Sequence, residues 1–315
     1  MRFFVFGTGG MGGFFGGKLL QAGHHVRFLA RGPHLQAMKK GGLKIHSSAG
    51  TWTTPPDTAL ESTKESEPVD VVLFCVKAYD TEAAAKQLDP VLSPHTIVLS
   101  LQNGVENEEI IRRHIPRGRV YGGIAYISSR ITAPGEITET GGLQRIVFGP
   151  MHGPIDRQAK DVHEAFAKSD IRAELRQEIV GELWKKFVFI SSMGSMTAVT
   201  RLNQGEILAS RPTLDVVFRA MHEATAVGKA HGVTIEAIDP ARVIEGLKRF
   251  DSGTRSSMYF DLINEKPMEV EALNGTIVRL GTSYGIDTPI HRTLYSALLP
   301  YHLKHLQKRD ESEKP

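Results

Sequence analysis

A short apolar stretch near the start of the sequence runs directly into a cluster of glycines. Residues 2–6 have the composition of a buried strand, and the pattern G-x-G-x-x-G follows at Gly7, Gly9 and Gly12. These glycines suit a strand–turn–helix unit, because they permit a tight turn, close approach of a pyrophosphate and close packing of the helix, whose N–H groups hold the phosphates. We therefore expect a dinucleotide-binding loop, with a glycine-rich turn that binds no ligand as the alternative. The residues of this loop are Gly7, Thr8, Gly9, Gly10, Met11 and Gly12.

The end of the second predicted strand indicates which dinucleotide is bound. Residues 25–30 form that strand, and Arg31 follows it. Folds that bind NAD usually place Asp or Glu at this point, to accept a hydrogen bond from the ribose 2′-hydroxyl. Here the acid is missing, and a guanidinium is suited to hold a phosphate through a charge-assisted fork. The sequence therefore predicts NADP (NADPH), unless Arg31 is only a solvated loop charge.

Length and charge restrict the class of protein further. The 315 residues suffice for about two domains. A net charge of +3 creates no strong field for nucleic acid or a membrane surface, and no apolar run approaches the ~18–20 residues that span a bilayer. The single cysteine, Cys75, excludes a disulfide framework and is typical of a reducing compartment, so we expect a cytoplasmic protein. A homodimer is compatible with the sequence, which leaves the oligomeric state open.

The two halves of the chain have different secondary-structure patterns. In the first half, apolar segments typical of parallel strands alternate with helices, and further strands are predicted at 69–76, 96–101, 119–128 and 145–149. The second half is helical, with helices predicted at 177–201, 207–231, from Asp239 onward and at 267–285. These patterns predict an α/β chain in which a Rossmann dinucleotide-binding domain, 1–176, precedes an all-helical domain, 177–315.

Such an arrangement predicts an active site in the cleft between the two domains, beyond the carboxyl ends of the parallel strands. Lys77 follows the strand at 69–76, where an ammonium could bind a phosphate or the nicotinamide ribose. Asn103 follows the next strand within Gln102-Asn103-Gly104, where it could hold the substrate or the same ribose. A solvated lysine and a simple Asn-Gly turn are the structural alternatives.

Three residues of the helical half are candidates for acid chemistry or substrate binding. Lys186 lies on a mostly apolar helix, which suits a general acid that protonates a developing alkoxide. Ser257 could bind a carboxylate or hydroxyl, and Glu269 could accept a hydrogen bond from a substrate hydroxyl. Taken singly, each has a structural alternative: a surface lysine for Lys186, and helix capping or dipole pairing for Ser257 and Glu269. The histidines show no metal-ligand spacing, so no metal site is predicted.

Together these segments resemble the ketopantoate reductase family (2-dehydropantoate 2-reductases) over nearly the whole chain. The matching motifs are Gly7-x-Gly9-x-x-Gly12, Arg31, Val76-Lys77-Ala78, Leu101-Gln102-Asn103-Gly104, Trp184-x-Lys186, Thr254-Arg255-Ser256-Ser257-Met258 and Glu269 with Asn274-Gly275. The resemblance implies a Rossmann domain followed by a helical domain of the 6-phosphogluconate dehydrogenase C-terminal-like type. It also implies NADPH-dependent reduction of 2-dehydropantoate to pantoate, on the path to pantothenate and coenzyme A.

The resemblance also assigns roles to individual residues. Lys186 matches the family's proton donor, and Glu269 matches the glutamate that binds a substrate hydroxyl. Ser257 matches its substrate-binding serine, while Lys77 and Asn103 match its strand-end lysine and its Q-N-G asparagine.

One helix face departs from the family pattern. Family members carry asparagines four and eight residues after the lysine, and these positions are Ile190 and Gly194 here. Both share the face of Lys186, so the loss of two polar partners could weaken binding of a pantoate-like substrate by roughly ten- to a hundredfold. A further family asparagine matches Gln204, or Asn203 after a one-residue slip, and Arg201 offers a nearby cation that could take a carboxylate.

Three hypotheses remain open from the sequence. The first is an NADPH-dependent 2-oxo acid reductase that acts on 2-dehydropantoate. The second is a paralogue that reduces a more apolar 2-oxo acid, for which Ile190 and Gly194 are the evidence. The third is a non-catalytic NADP-binding sensor, against which the retained Lys186 and Glu269 argue. Turnover with a panel of 2-oxo acids separates them.

Overall fold

The computed structural model describes residues 1–234, 246 and 252–312, and its chain divides into two compact units. The first unit is Met1–Gln102 with Glu106–Val180, and the second is Asn103–Val105 with Gly181–Pro315. The short segment at Asn103 thus groups with the C-terminal half. The division at Val180 lies a few residues beyond the boundary predicted from the sequence.

The first unit is built on a mixed sheet of ten strands. The strands are β1 (Arg2–Phe6), β2 (His25–Leu29), β3 (Lys44–Ser47), β4 (Gly50–Thr53), β5 (Ala59–Leu60), β6 (Val71–Phe74), β7 (Ile97–Ser100), β8 (Arg119–Ala133), β9 (Glu136–Pro150) and β10 (Arg172–Leu175). Their order is β4-β3-β9-β8-β7-β6-β1-β2-β5, and β10 pairs with β9. Six neighbouring strands of this sheet, β5, β2, β1, β6, β7 and β8, are parallel to one another. Strands β8 and β9 form an antiparallel hairpin.

Strand β1 shows why this sheet is covered on both faces. Phe3 and Val5 pack in one buried apolar cluster, and Phe4 and Phe6 pack in another. Because successive side chains of a strand point to opposite faces, the continuous apolar run supplies both layers. The helices of this unit are α1 (Gly10–Gln21), α2 (Gly32–Gly41), α3 (Thr81–Ala85), α4 (Asn107–His114) and α5 (Arg157–Lys168).

The second unit is helical in its described residues. Its elements are α6 (Ile179–Thr200, which begins at the end of the first unit), α7 (Gln204–Ala209), α8 (Arg211–Ala230), α9 (Ser257–Ile263), a π-helical turn (Glu271–Gly275), α10 (Thr276–Ser283) and α11 (Pro289–Ser312). Among the described residues, no helix is both long and apolar enough to cross a membrane.

Several predicted boundaries are wrong. The single helix predicted at 207–231 is two helices that meet at Ser210, because Pro212 lacks the N–H that a continuous helix needs. Pro267 does not begin a helix, and the helical backbone starts with the π-turn at Glu271. Short strands β3, β4, β5 and β10 were not predicted, because two to four residues give little periodicity. The helix predicted from Asp239 lies outside the described residues.

Asn274 connects three helical segments of the second unit. It is completely buried. Its amide nitrogen donates to the carbonyl of Ser191 and to Nδ1 of His291, both at 3.1 Å, and its oxygen accepts from Ser195 at 2.6 Å. Since all three bonds are enclosed, they hold the π-turn against α6 and α11 with high geometric specificity.

The first turn of α4 carries two adjacent glutamates in opposite environments. Glu108 is 2% exposed, and both its carboxylate oxygens are enclosed. Burial raises the pKa of this carboxyl to about 7. Glu109 lies at the surface, where hydrogen bonds from Arg112 and then Arg113 lower its pKa to about 2.

We expect Glu108→Gln to stabilise the protein at alkaline pH and to have little effect in acid. A carboxyl whose pKa is raised on folding favours the native state below its unfolded pKa of 4.5, and that stability is lost as the pH rises through about 7. The loss amounts to about 3 kcal/mol, which a neutral amide avoids. Free energies of unfolding from urea titrations at pH 5 and pH 8 measure the difference.

Glu109→Gln is the matched control for this variant. It removes the neighbouring charge, but its carboxylate is favoured in the native state, so stability at pH 8 should fall or stay unchanged. The effect assigned to burial would be contradicted if Glu108→Gln were no more stable than the wild type at pH 8, or if its gain over the wild type were the same at pH 5 and pH 8.

Candidate active site

The turn after β1 leaves the start of α1 open to an anion. Gly7 has a φ of 101°, which glycine adopts easily, and a Cβ there would lie 2.8 Å from the backbone nitrogen of Val76. A Cβ on Gly12 would collide with the carbonyl oxygen of Gly7, whereas a Cβ on Gly9 would meet no atom within 4 Å. Gly9 is the N-cap of α1 and makes no side-chain capping bond. The open space over Gly9 and the uncapped helix start therefore fit a pyrophosphate.

The other residues of the predicted loop support its shape. The Thr8 hydroxyl donates to the carbonyl of Leu29 at 2.8 Å and so fastens the loop to β2. A Cβ on Gly10 would lie 2.5 Å from the backbone of Ser129, because β8 passes close to this point. Met11 is partly buried and packs against the apolar cluster of the sheet.

Two basic residues follow strands that lie beside this loop. Arg31 immediately precedes α2, and its side chain is 68% exposed. Lys77 follows β6 and begins the short 3-10 turn Ala78–Asp80. Strands β1 and β6 are neighbours, and chain order reverses between them, which is where α/β sheets bind nucleotides.

In the second unit, the structure brings together Asn103, Lys186 and Glu269. The ammonium Nζ of Lys186 donates to Oδ1 of Asn103 at 2.8 Å, and Nδ2 of Asn103 donates to Oε2 of Glu269 at 3.3 Å. An ammonium can only donate and a carboxylate can only accept, so the amide orientation of Asn103 follows from its two partners. These residues were predicted separately from three distant segments.

The surroundings of Lys186 place its titration near neutral pH. Burial lowers the pKa of its ammonium to about 8, although the negative charge of Glu269 acts in the opposite direction. Such a group is mostly protonated at pH 7 and can still release its proton readily, which is the property that a general acid needs.

Packing on α6 explains why this lysine, and not its neighbour, is enclosed. Trp184 and Phe187 are buried and meet edge to face, with ring centroids 5.2 Å apart. Lys185 projects to the exposed side, where it pairs with Glu182 at 2.9 Å. Lys186 lies between these two sides and is only partly accessible.

Glu269 is held by the segment that precedes the π-turn. Its side chain is 6% exposed, and its carbonyl accepts a hydrogen bond from the backbone of Leu273 at 3.0 Å. It was predicted in the first turn of a helix, but it lies two residues before the π-turn. The buried bonds of Asn274 therefore control the position of this carboxylate as well.

The face of α6 that continues from Lys186 is less polar than its family pattern implies. Ile190 is partly buried one turn further along, and Gly194 is buried two turns along. A Cβ on Gly194 would lie 3.7 Å from Cβ of Ser256, so this glycine faces the start of α9. Ser256 caps α9 by accepting from Tyr259, and it leaves the adjacent Ser257 exposed.

The remaining predicted residues lie at the junction of α6 and α7, about four helical turns beyond Lys186. Arg201 is exposed and has a φ of 64°. Asn203 caps α7, and its side chain accepts from the backbone of Glu206. Gln204 is buried, and its backbone nitrogen donates to the carbonyl of Thr254 at 2.9 Å.

Two residues in these regions were not predicted from the sequence. Asp80 lies 3.5 Å from Arg31, and the signal that could have identified it is an acid three residues after Lys77. Buried His291 supports Asn274 and donates from Nε2 to the carbonyl of Ala220 at 2.9 Å, and burial lowers its pKa to about 4. No local pattern marks His291, because its partners lie on other helices.

Comparison with known proteins covers both units. The family model "Ketopantoate reductase PanE/ApbA" matches residues 3–153, and the model of the C-terminal part of the same family matches residues 178–302. A 2-dehydropantoate 2-reductase from Archaeoglobus fulgidus is 32% identical and covers 92% of this chain and 94% of its own.

Solved structures agree with this comparison. A PanE/ApbA family ketopantoate reductase from Ralstonia eutropha superposes with a TM-score of 0.88 at 30% identity, covering 97% of this chain and 100% of its own. D-mandelate dehydrogenase in complex with NADH and anilino(oxo)acetate shares the fold, with a TM-score of 0.87 at 24% identity over 97% of this chain and 99% of its own. Together with the matched residues, these results show that the chain belongs to the ketopantoate reductase family of oxidoreductases.

Proposed function

We propose that this protein uses NADPH to reduce a 2-oxo acid to a 2-hydroxy acid, with 2-dehydropantoate as substrate and (R)-pantoate as product. This step belongs to the synthesis of pantothenate and coenzyme A, which we place in the cytoplasm. The observation that carries the proposal is the chain of hydrogen bonds from Lys186 through Asn103 to Glu269. These bonds connect the ammonium of Lys186, which can donate a proton, to the carboxylate of Glu269, and both groups are useful in the ketone reduction that the family carries out.

The first unit supplies the residues that fit the cofactor. The bare N-terminus of α1 suits the pyrophosphate, and the guanidinium of Arg31 suits a 2′-phosphate. Lys77, at the end of β6, adds a positive charge for a phosphate or the nicotinamide ribose. When bound, NADPH supplies the hydride that ketone reduction requires.

Lys186 supplies the proton in this proposal. Negative charge develops on the ketone oxygen during reduction, and a nearby ammonium stabilises that charge before it gives up a proton. An ammonium has three N–H groups, so Lys186 can hold Asn103 and also donate to a substrate oxygen. Burial makes loss of the proton easier, since it disfavours the charged form of the lysine.

Asn103 and Glu269 orient the donor and the substrate. The amide of Asn103 holds the ammonium in one direction, which lowers the entropic cost of reaching the reactive geometry. The Glu269 carboxylate can accept a hydrogen bond from the substrate's hydroxyl, and its charge favours the protonated form of Lys186. In keeping with the family pattern, Ser257 is proposed to bind the substrate carboxylate.

Replacing Lys186 by Ala should lower kcat by roughly 10²–10⁴, the usual contribution of a general acid. Binding of NADPH, followed by nucleotide fluorescence, should change little, because the loop residues and Arg31 are untouched. Lys185→Ala is the matched control, since it removes an adjacent exposed ammonium of the same helix. Near-normal turnover in the Lys186 variant would show that another group donates the proton.

The pH dependence of reduction should identify the lysine and its carboxylate partner. Because the acid must be protonated, kcat/KM should be level below about pH 8 and fall above it. In Glu269→Gln the charge that raises the pKa of Lys186 is gone, so the midpoint should move to lower pH by roughly one unit.

Glu271→Gln provides the control for that shift. Glu271 is bonded by the Tyr295 hydroxyl at 2.7 Å, whereas the charge that raises the pKa of Lys186 is that of Glu269. The Glu271 variant should keep the original midpoint. Equal midpoints in the wild type and Glu269→Gln would rule out the charge coupling, whatever happens to the maximal rate.

A second candidate function is reduction of a more apolar 2-oxo acid. Ile190 lies one turn from Lys186 on the same helix face, where family members carry an amide. Gly194 has no side chain, so the second amide of the family pattern is missing as well. A solved structure with the same fold is that of a D-mandelate dehydrogenase, whose name gives an aromatic 2-hydroxy acid as its own substrate.

A panel of 2-oxo acids, tested with the wild type and Ile190→Asn, should separate these functions. If an apolar substrate is native, Ile190→Asn should lower kcat/KM for phenylglyoxylate about tenfold and raise it for 2-dehydropantoate, because one polar partner is worth about 0.5–1.5 kcal/mol. Ile190→Leu keeps an apolar side chain of equal volume and should leave both values nearly unchanged. A wild type that prefers 2-dehydropantoate excludes the apolar alternative, and absence of turnover with every acid favours the NADP-binding sensor.

A further inference from the structure

Arg31 and Asp80 form an ion pair across the end of β1. The guanidinium Nη2 of Arg31 is 3.5 Å from Oδ2 of Asp80. Arg31 follows β2, Asp80 ends the turn after β6, and these two strands flank β1 in the sheet. Since β1 leads into Gly7, the pair lies beside the start of the dinucleotide loop.

The two side chains differ in how tightly they are enclosed. Asp80 is 25% exposed and Arg31 is 68% exposed, so the carboxylate is the more sheltered partner and the guanidinium the more accessible one. Asp80 also occupies the N-cap position of α3, where a carboxylate often accepts from the helix backbone, but it makes no side-chain capping bond. Its carboxylate lies within ion-pair distance of Arg31.

Asp80 places a carboxylate near the position after β2, where the sequence has no acidic residue. Folds that bind NAD hold the ribose 2′-hydroxyl with a carboxylate at the end of the second strand, and here that position carries Arg31. Asp80 comes from a different strand but places its carboxylate beside the same guanidinium. The site therefore holds a phosphate-binding cation and a hydroxyl-accepting anion side by side.

We propose that Asp80 determines how strongly the protein prefers NADPH to NADH. This inference rests on the proposed function, in which Arg31 holds the 2′-phosphate. A 2′-phosphate would compete with Asp80 for the guanidinium of Arg31 and would add negative charge near that carboxylate, so Asp80 would weaken NADPH binding. A 2′-hydroxyl can instead donate to Asp80, so the same carboxylate supports NADH.

The test compares nucleotide binding in the wild type, Asp80→Asn and Glu82→Gln, with Kd measured by the fluorescence of NADPH and NADH. We expect Asp80→Asn to bind NADPH three- to tenfold more tightly and to bind NADH no more tightly than the wild type does. Glu82 lies two residues away and pairs with Lys86, so Glu82→Gln makes the same charge change without touching Arg31. It should leave both affinities within about twofold, because long-range surface charges are screened.

Each outcome decides the inference. A gain for NADPH alone, absent from Glu82→Gln, supports it. The inference is overturned if Asp80→Asn has no effect, if it tightens binding of both nucleotides equally, or if Glu82→Gln has the same effect. In each of these cases the proposed function still stands, provided that the wild type binds NADPH and turns over substrate. A wild type that binds neither nucleotide overturns both. Thermal unfolding midpoints of the variants show whether folding is unchanged.

Discussion

The hydrogen bond from Lys186 to Asn103 is the interaction on which the proposed chemistry depends. Enclosing an ammonium is costly unless it finds an acceptor and a compensating charge nearby. Asn103 supplies the acceptor at 2.8 Å, and Glu269 supplies the charge through the other end of the same amide. The negative charge of Glu269 opposes the effect of burial, so the pKa of Lys186 falls only to about 8 and its ammonium remains charged at neutral pH.

Buried hydrogen bonds of Asn274 and His291 hold the segment that follows Glu269. Glu269 has little freedom, because the π-turn after it is bound to α6 and α11 through the buried amide of Asn274. His291 is kept neutral by burial, and it can therefore accept from Asn274 while it donates to Ala220. The packing of α6 and α11 against the π-turn thus restrains the carboxylate of Glu269, which itself lies outside these helices.

The nucleotide end is organised by a different constraint, the close approach of backbone segments. Side chains at Gly7, Gly10 or Gly12 would collide with neighbouring backbone, while Gly9 leaves space for a ligand. Arg31 and Asp80 lie 3.5 Å apart at the edge of this loop. In the proposed function, the choice between NADPH and NADH would depend on the balance of these two charges.

The sequence by itself determined the features that depend on neighbouring residues. The glycine spacing and the apolar run of β1 predicted an α/β fold with a nucleotide loop, and the missing acid after β2 led to the prediction of NADP. The motifs around Lys186 and Glu269 carried the resemblance to the family that the comparison then showed. Only the tertiary structure placed Asn103 between those two residues, since 83 and 166 positions separate it from them in the chain. It also divided the helix predicted at 207–231, produced the π-turn and placed Asp80 beside Arg31. Local patterns report backbone preferences over a few residues, whereas contacts between distant segments are decided by how the helices and strands pack.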